Sequence, residues 1–456
     1  MHSNHTLSRR RMFALAAGVA AMPQSFAGPK KGMIVRSARP EDLEMPLSGF
    51  SDFITPVEHF FVRSHHYTPA VELKDWRLSV SGEVATALTL TMDDLKKLPR
   101  VELISVLECA GNGRGLYEPS VPGLQWDFGS VGNGRWAGVR LADVLKRAGI
   151  KTSAKEILFD GADVPVGTMP EFKRTVPLAK AMHADTILAF EMNGELLPVE
   201  HGFPMRLIVP GWAGDSWVKW ITKIEVLDKE FDGFFMKTAY RHPGKNVVPG
   251  SAIDPALMSP LTSLRIKSLI ASHTNGAVVA PGPVKLTGAA WGGDSPVAGV
   301  DVSVDGGRNW HAALLNSTRS SYSWRLWEYR WSPKSEAYYQ VMVRARSANG
   351  ELQPFVQEWN PSGYGHNVVH TVGINVSTKM LPVTMGQKAA EVALPPEYKA
   401  ACMTCHANDV VEQQRLTRGQ WEKEVEKMMR WGAELKPDYK NHLIDFLVNR
   451  WGPRSR

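Results

Sequence analysis

Between Leu261 and Val376, apolar and polar positions alternate in short runs, as in "VDVSV", "SYSWRLWEYRW" and "YYQVMVRARS". A period of two is that of strands with one buried face, and the turn residues Asp305-Gly306-Gly307 and Asn349-Gly350 punctuate them as hairpin signals. This span, taken as 256–376, predicts a β-sandwich of immunoglobulin-like type. The preceding span, 28–255, mixes strand-like runs with short amphipathic stretches. "TMDDLKKLP" and "LADVLKRAGI" place acids early and bases late, as helices do. An α+β domain is expected there. Near the C-terminus the period lengthens: Trp421, Val425 and Met428 of "QWEKEVEKMMRWGAEL" stand at i, i+4 and i+7, one face of a helix. A small all-α unit is expected over 395–456. The intervening 377–394 has little periodicity, is followed directly by Pro395-Pro396 and reads as a linker.

At 456 residues the chain has room for about two or three domains, each with its own core. The opening 1–27 has a different character. Arg9, Arg10 and Arg11 precede a short apolar run that ends in small residues at Ala27, the pattern of an export signal. Arg10-Arg11-Met12-Phe13 fits the twin-arginine route, which carries folded, cofactor-loaded proteins, so a periplasmic location is expected. The apolar run is too short to span a bilayer, and no transmembrane anchor is expected in the mature chain. Losing three arginines lowers the formal charge from +7 to +4. No dense Lys/Arg run remains to suggest nucleic acid; a mild positive excess suits an anionic ligand or an acidic partner.

The chain has three cysteines, an odd count for an exported protein that would otherwise pair them. Cys402 and Cys405 lie in "CMTCH", the c-type haem attachment pattern, with His406 as the iron's proximal ligand. A redox dithiol or a small zinc site is the alternative. Met428, on the apolar helical face, is the candidate sixth ligand; Met429 lies about 100° around the helix. Such a His/Met haem is suited to electron transfer.

Cys109 then stands alone, on the glycine-rich turn of "LECAGNGRG". Glycines beside it allow backbone to approach a bulky cofactor. Basic residues gather in "FFVRSHH", "EHGFPMRLIVPG" and "SWVKW". Taken singly, each is most simply a solvated or ion-paired group. Together Arg63, Arg114, Arg206 and Lys219, with His65 and His201, could build a pocket for a phosphorylated cofactor and an oxyanion. Cationic neighbours are expected to hold Cys109 as the metal-binding thiolate. There is neither a GxxxxGK[ST] phosphate loop nor a strand-GxGxxG-helix unit, which disfavours nucleotide chemistry.

These runs resemble the sulfite oxidase family, from about Ala38 to Val376 and including the closing "WNPSGYGHNVVHTV". The resemblance implies a molybdenum–molybdopterin cofactor with Cys109 as the metal's protein ligand. It implies that Phe61, Val62, Arg63, Ser64 and His65 line the pterin, together with Asp163, His201, Arg206, Trp217, Val218 and Lys219. Arg63, Arg114 and Tyr240 are implied to hold the substrate oxyanion, and the sandwich to serve as a dimerisation domain in a homodimer. Gly113 departs from the animal pattern, which has a second arginine there, and Ser64 replaces an asparagine. The animal enzymes carry a b-type haem domain ahead of the molybdenum domain; here a c-type tail follows it. The implied activity is oxidation of sulfite to sulfate, with electrons leaving through the fused haem to an external periplasmic cytochrome. Two alternatives are oxidation of a protein-bound sulfane sulfur and, in a different class, an electron-transfer cytochrome on a catalytically inactive scaffold.

Overall fold

A computed structural model describes residues 32–251, 253–317, 320–379 and 393–453. The expected export signal at 1–27 and residues 380–392 of the linker expected at 377–394 lie outside the described residues. Among the described residues no helix is long and apolar enough to cross a membrane.

The N-terminal region is built on two five-stranded sheets. One runs in the order Glu195–Leu196, Ile187–Met192, Val131–Arg140, Arg100–Glu108, with Arg206–Ile208 also paired to Ile187–Met192. The other runs Leu88–Leu90, Leu78–Gly82, Ile221–Leu227, Glu156–Gly161, Lys173–Pro177, and contains one parallel pair, Leu78–Gly82 with Ile221–Leu227. Alternation explains the faces: Leu78, Val80, Ile224 and Val226 are buried in a shared core while Glu225 and Lys223 pair at the surface. Both amphipathic stretches form helices, Met92–Lys96 and Leu141–Ala148. Thr91 and Asp94 close a capping box on the first, and Gly149 at φ 71° ends the second.

The second region is a sandwich, as its alternation predicts. A four-stranded sheet (Lys267–Ile270, Val284–Trp291, Arg325–Trp331, Leu314–Leu315) faces a five-stranded one (Ala277–Val279, His370–Val376, Ala337–Ser347, Val297–Ser303, His311–Ala312). Leu286, Trp327, Val302, Val341 and Ile374 fill the space between them. The Asp305 carboxylate accepts the N–H groups of Arg308 and Asn309, both at 3.0 Å, and so shapes the turn into His311–Ala312.

The tail is helical: Pro396–Cys402, Asp409–Glu412, Arg418–Arg430 and Lys440–Trp451 pack around Tyr398, Leu416, Trp421, Val425, Leu443 and Leu447. Thr417 and Gln420 form a capping box at the start of the third helix. This unit rests on the N-terminal region through scattered polar contacts. Arg39 donates to the Met403 carbonyl at 2.9 Å, the Ala38 N–H to Asp409 at 2.7 Å, and the Tyr67 hydroxyl to the Cys405 carbonyl at 3.2 Å. Gln414 reaches the Gly123 carbonyl at 2.8 Å, and Gln420 that of Ser120 at 3.0 Å.

A buried charge pair joins the sandwich to the first sheet. Lys267 Nζ lies 2.6 Å from Glu108 Oε1, with both side chains less than a tenth exposed. Trp291 Nε1 donates to the other carboxylate oxygen at 2.8 Å, and Asn112 Nδ2 donates to Oε1 at 2.9 Å. Removing one partner strands the other charge away from water. Lys267→Met should therefore cost about 3–5 kcal/mol in denaturant unfolding, and Glu108→Gln added to it should recover a large part.

Candidate functional site

The strand Arg100–Glu108 ends buried, and Cys109 follows on a turn closed by Asn112 N–H donating to the Cys109 carbonyl at 2.9 Å. Gly113 takes φ 88°, and a Cβ there would meet the His366 ring at 2.7 Å, so the tight return requires glycine. Cys109 lines a cavity of about 680 Å³, counting its open mouth. On its other side Cys109 borders a second cavity, between the first region and the sandwich, where Arg265, Lys267 and His366 gather.

Burial raises the Cys109 thiol above its ordinary range, and the charges of Arg114 and Arg63 only partly oppose this. The expectation that cationic neighbours alone hold a thiolate is corrected, because desolvation outweighs them. A bound metal cation would have to displace the proton.

Around the cavity, Arg63, Ser64, His65, Asp163, His201, Arg206, Trp217, Lys219 and Tyr240 come together from five separate stretches of chain, with Phe61 beside them. Arg63 sits 3.3 Å from Asp42, which also accepts the Ser64 N–H at 2.9 Å. Burial pushes Asp42 up to about 6 despite Arg63. Lys219 donates to Ser64 Oγ and to the Glu200 carbonyl, each at 2.9 Å. Burial and the nearby Arg206 charge push Lys219 down to about 7. Arg206 lies under the rings of Trp136 and Trp217, at 5.1 and 5.9 Å, and donates to the carbonyls of His201 and Trp217. Its Nε has no partner, and burial alone drags it down to about 9.

Tyr240 and His65 meet at 2.7 Å between hydroxyl and Nε2. Burial and the surrounding cations hold His65 well below its usual range, so it is neutral, and burial holds the Tyr240 phenol well above its own. The phenol therefore donates and the imidazole accepts. His65 stacks on Phe172 at 4.1 Å, and Tyr240 stacks on Tyr364 at 5.3 Å.

Three implied site residues lie elsewhere. Arg114 does not line the cavity: its guanidinium is held behind it by the carbonyls of Ser362 and Leu124, at 2.9 and 3.0 Å, over the Tyr364 ring. Val62 belongs to a separate core and pairs by backbone with Leu43. Val218 is buried in the main core, with its carbonyl accepting from Leu207. Backbone positions such as these bring their neighbours to the site without presenting their own side chains.

Sequence reading missed Asp42 and the pair Arg174–Asp215, which is fully buried at 2.5 Å, with Arg174 also 5.5 Å from the Tyr240 ring. Burial pushes Asp215 up to about 6. Arg174 sits in "EFKRTV", a run that reads as an ordinary surface strand; nothing local reveals that its residue faces inward.

The residues present fit a phosphorylated pterin carrying a metal. Arg206 is a buried cation with a free donor and no carboxylate beside it, the environment an anionic phosphate would complete. Cys109 offers a single thiol on the cavity wall. In the tail, Cys402 and Cys405 are both free thiols. His406 Nδ1 lies 3.0 Å from the Ala407 carbonyl, which can only accept, so Nδ1 carries the proton and Nε2 the lone pair. Burial holds His406 below its usual range, in the neutral form a metal needs. Of the adjacent methionines, Met429 packs against the core of the tail, while Met428 is half-buried outside it.

Comparison with known proteins defines the class. Residues 65–235 match the oxidoreductase molybdopterin binding domain and residues 259–377 the Mo-co oxidoreductase dimerisation domain. The chain is 33% identical over 348 residues to sulfite oxidase of Gallus gallus, covering 73% of this chain and 75% of that one. It is 31% identical over 370 residues to sulfite oxidase of Arabidopsis thaliana, covering 74% of this chain and 92% of that one. The protein belongs to the sulfite oxidase family of molybdopterin oxidoreductases. Mitochondrial sulfite oxidase of Mus musculus is 35% identical over 359 residues, 75% of this chain; the matched span is only 65% of that protein's length. Among solved structures, the sulfane dehydrogenase SoxCD from Paracoccus pantotrophus is similar at a TM-score of 0.66 and 28% identity, covering 75% of this chain and 88% of that one.

A lysine near 7 must take up a proton to pair with a phosphate that is already doubly charged. Binding of the pterin cofactor to apoprotein should therefore weaken as pH rises above 7, by up to about tenfold per pH unit, and Lys219→Met should remove that dependence. Titration calorimetry in buffers of different ionisation enthalpy reads the proton uptake directly.

Proposed function

We propose that this protein is an exported, periplasmic sulfite dehydrogenase that passes electrons through a c-type haem in its own tail to an external cytochrome. The observation that carries the catalytic part is Cys109, a lone thiol residue lining a cavity that also gathers Arg63, Lys219 and Arg206, the last with no carboxylate beside it. Sulfite oxidation requires water and releases sulfate, two protons and two electrons. When bound, a molybdenum–dithiolene centre supplies the oxygen-atom transfer and accepts the electron pair.

The chain's own groups handle the anion. Arg63 gives a fixed charge, pinned in direction by Asp42. Tyr240 keeps its proton and can turn its O–H from His65 to a sulfite oxygen, while neutral His65 remains as an acceptor beside it. Arg114, behind the wall, acts through its charge on the Cys109 sulfur and through Tyr364, on which Tyr240 stacks. In the tail, Cys402 and Cys405 are the thioether attachment points, His406 Nε2 the proximal ligand and Met428 the sixth ligand. A haem there supplies a one-electron carrier, and tethering keeps it at high effective concentration beside the site. The sandwich is the surface for a homodimer.

The likeness to SoxCD favours a second reading, oxidation of a sulfane sulfur on a carrier protein. Metal analysis combined with sulfite-dependent reduction of the bound haem tests the first reading. Stoichiometric molybdenum and rapid haem reduction are expected; negligible turnover of free sulfite would move the substrate to the carrier. Absence of molybdenum would support an inactive scaffold.

Cys109→Ser should lower sulfite turnover at least about a thousandfold while leaving the haem spectrum unchanged, since the two sites share no ligand. Met428→Ala should convert the haem from low to high spin; an unaltered low-spin spectrum would assign the sixth ligand to Met429 or another group.

A further inference from the structure

Trp431 follows the last turn of helix Arg418–Arg430, and its indole stands edge-on to Phe234, ring centres 5.9 Å apart at 81°. Phe234 stands edge-on to Phe235 at 5.1 Å, and Phe235 meets Phe172 at 4.8 Å and His65 at 5.0 Å. Phe172 and His65 are walls of the cavity. A continuous run of rings thus leads from the tail to the candidate substrate site.

The backbone secures the outer end of this run. Thr168 donates its N–H to the Trp431 carbonyl at 3.3 Å and its hydroxyl to the Arg430 carbonyl at 2.9 Å. Thr168 lies between Asp163 and Phe172, both of which line the cavity. At the inner end, the short helix Phe234–Lys237 runs directly into Tyr240. The N–H groups of Thr238 and Ala239 both donate to the Phe234 carbonyl, at 2.9 and 3.0 Å.

Tyr240 takes φ 56°, a conformation that costs a bulky L-residue about 1–3 kcal/mol and persists only where the surroundings enforce it. Three of those surroundings belong to the catalytic region or the sandwich: the Tyr364 stack, the His65 bond and the Arg174 guanidinium. At the start of the segment, Phe234 is met from outside by Trp431 of the tail.

We infer that the helical tail is a structural part of the substrate site, with Trp431 a positioning residue that seals the Phe234–Tyr240 segment and so fixes the Tyr240 hydroxyl against His65. This role is additional to any electron carriage by the tail, and its effect on substrate rests on the reading of Tyr240 as the sulfite-holding donor. Without the indole, Phe234 faces water and the strained tyrosine can relax away from the anion.

The test uses the full-length holoprotein with Trp431→Ala and Trp431→Phe. In Trp431→Ala, amide hydrogen exchange over 234–240 should speed up about tenfold while a control strand, Val297–Ser303, stays protected. With sulfite and ferricyanide, an acceptor that bypasses the tail's electron route, KM should rise about fivefold with kcat nearly kept. Trp431→Phe should restore both. Unchanged protection of 234–240 in folded Trp431→Ala overturns the inference. If wild type fails to oxidise sulfite, the substrate reading fails, and exchange still decides the role of the tail. Should Trp431→Ala not fold, Phe234→Leu removes the same contact from the other side and must loosen 235–240 equally.

Discussion

The Glu108 carboxylate, out of water at the end of a strand, accepts from three donors on three different elements: Lys267, Trp291 and Asn112. Everything about the candidate metal site depends on that arrangement. Cys109 is the next residue, and Asn112 closes its turn, with the Asn112 side-chain oxygen in turn accepting from Ser130. A buried ion pair contributes little net stability compared with apolar packing, because desolvation offsets much of the attraction. Its consequence here is directional. Both oxygens of Glu108 have donors, from the sandwich and from the turn, so the strand end and the turn that carries Cys109 are held against the sandwich. The sandwich is therefore part of the active region's support as well as a surface for pairing.

A second constraint is the way the buried charges around the cavity are paired. Arg63 has Asp42 close by, and Arg174 has Asp215. Arg206 has only carbonyls, and Lys219 only a hydroxyl and a carbonyl within hydrogen-bonding distance. Burying cations in this way is unfavourable until an anion arrives. Burial displaces the ionisation of Lys219 and Arg206 downward, which is the cost of holding these cations away from water. Hydrophobic walls sharpen the effect: Trp136 and Trp217 exclude water from Arg206, so the guanidinium keeps its full electrostatic reach.

The helical tail is joined to this framework by contacts of modest size. Arg39, Tyr67, Gly123 and Thr168 each hold one point of it, and Trp431 adds a ring contact on Phe234. No single one is strong. Distributed over several loops, they bring "CMTCH" within a hydrogen bond of Tyr67, two residues beyond His65. The same placement gives a mechanical route between the tail and Tyr240 without any further element.

Much of this was legible in the sequence, for reasons of periodicity and local chemistry. Alternation over 261–376 yields the sandwich, the 3.6-residue spacing of Trp421 and Val425 yields the tail helix, and turn glycines such as Gly113 mark where the backbone reverses. Short motifs carried the candidate ligands Cys109, Cys402, Cys405 and His406. Other features were invisible because they depend on which side chain is buried against which. Asp42 and Arg174 lie 21 and 66 residues from their partners' neighbourhood in Arg63 and Tyr240, and no local pattern marks them. The position of Arg114 behind the wall and the protonated state of Cys109 were likewise decided by tertiary packing. Desolvation is a property of the folded interior, and residue order alone does not specify it.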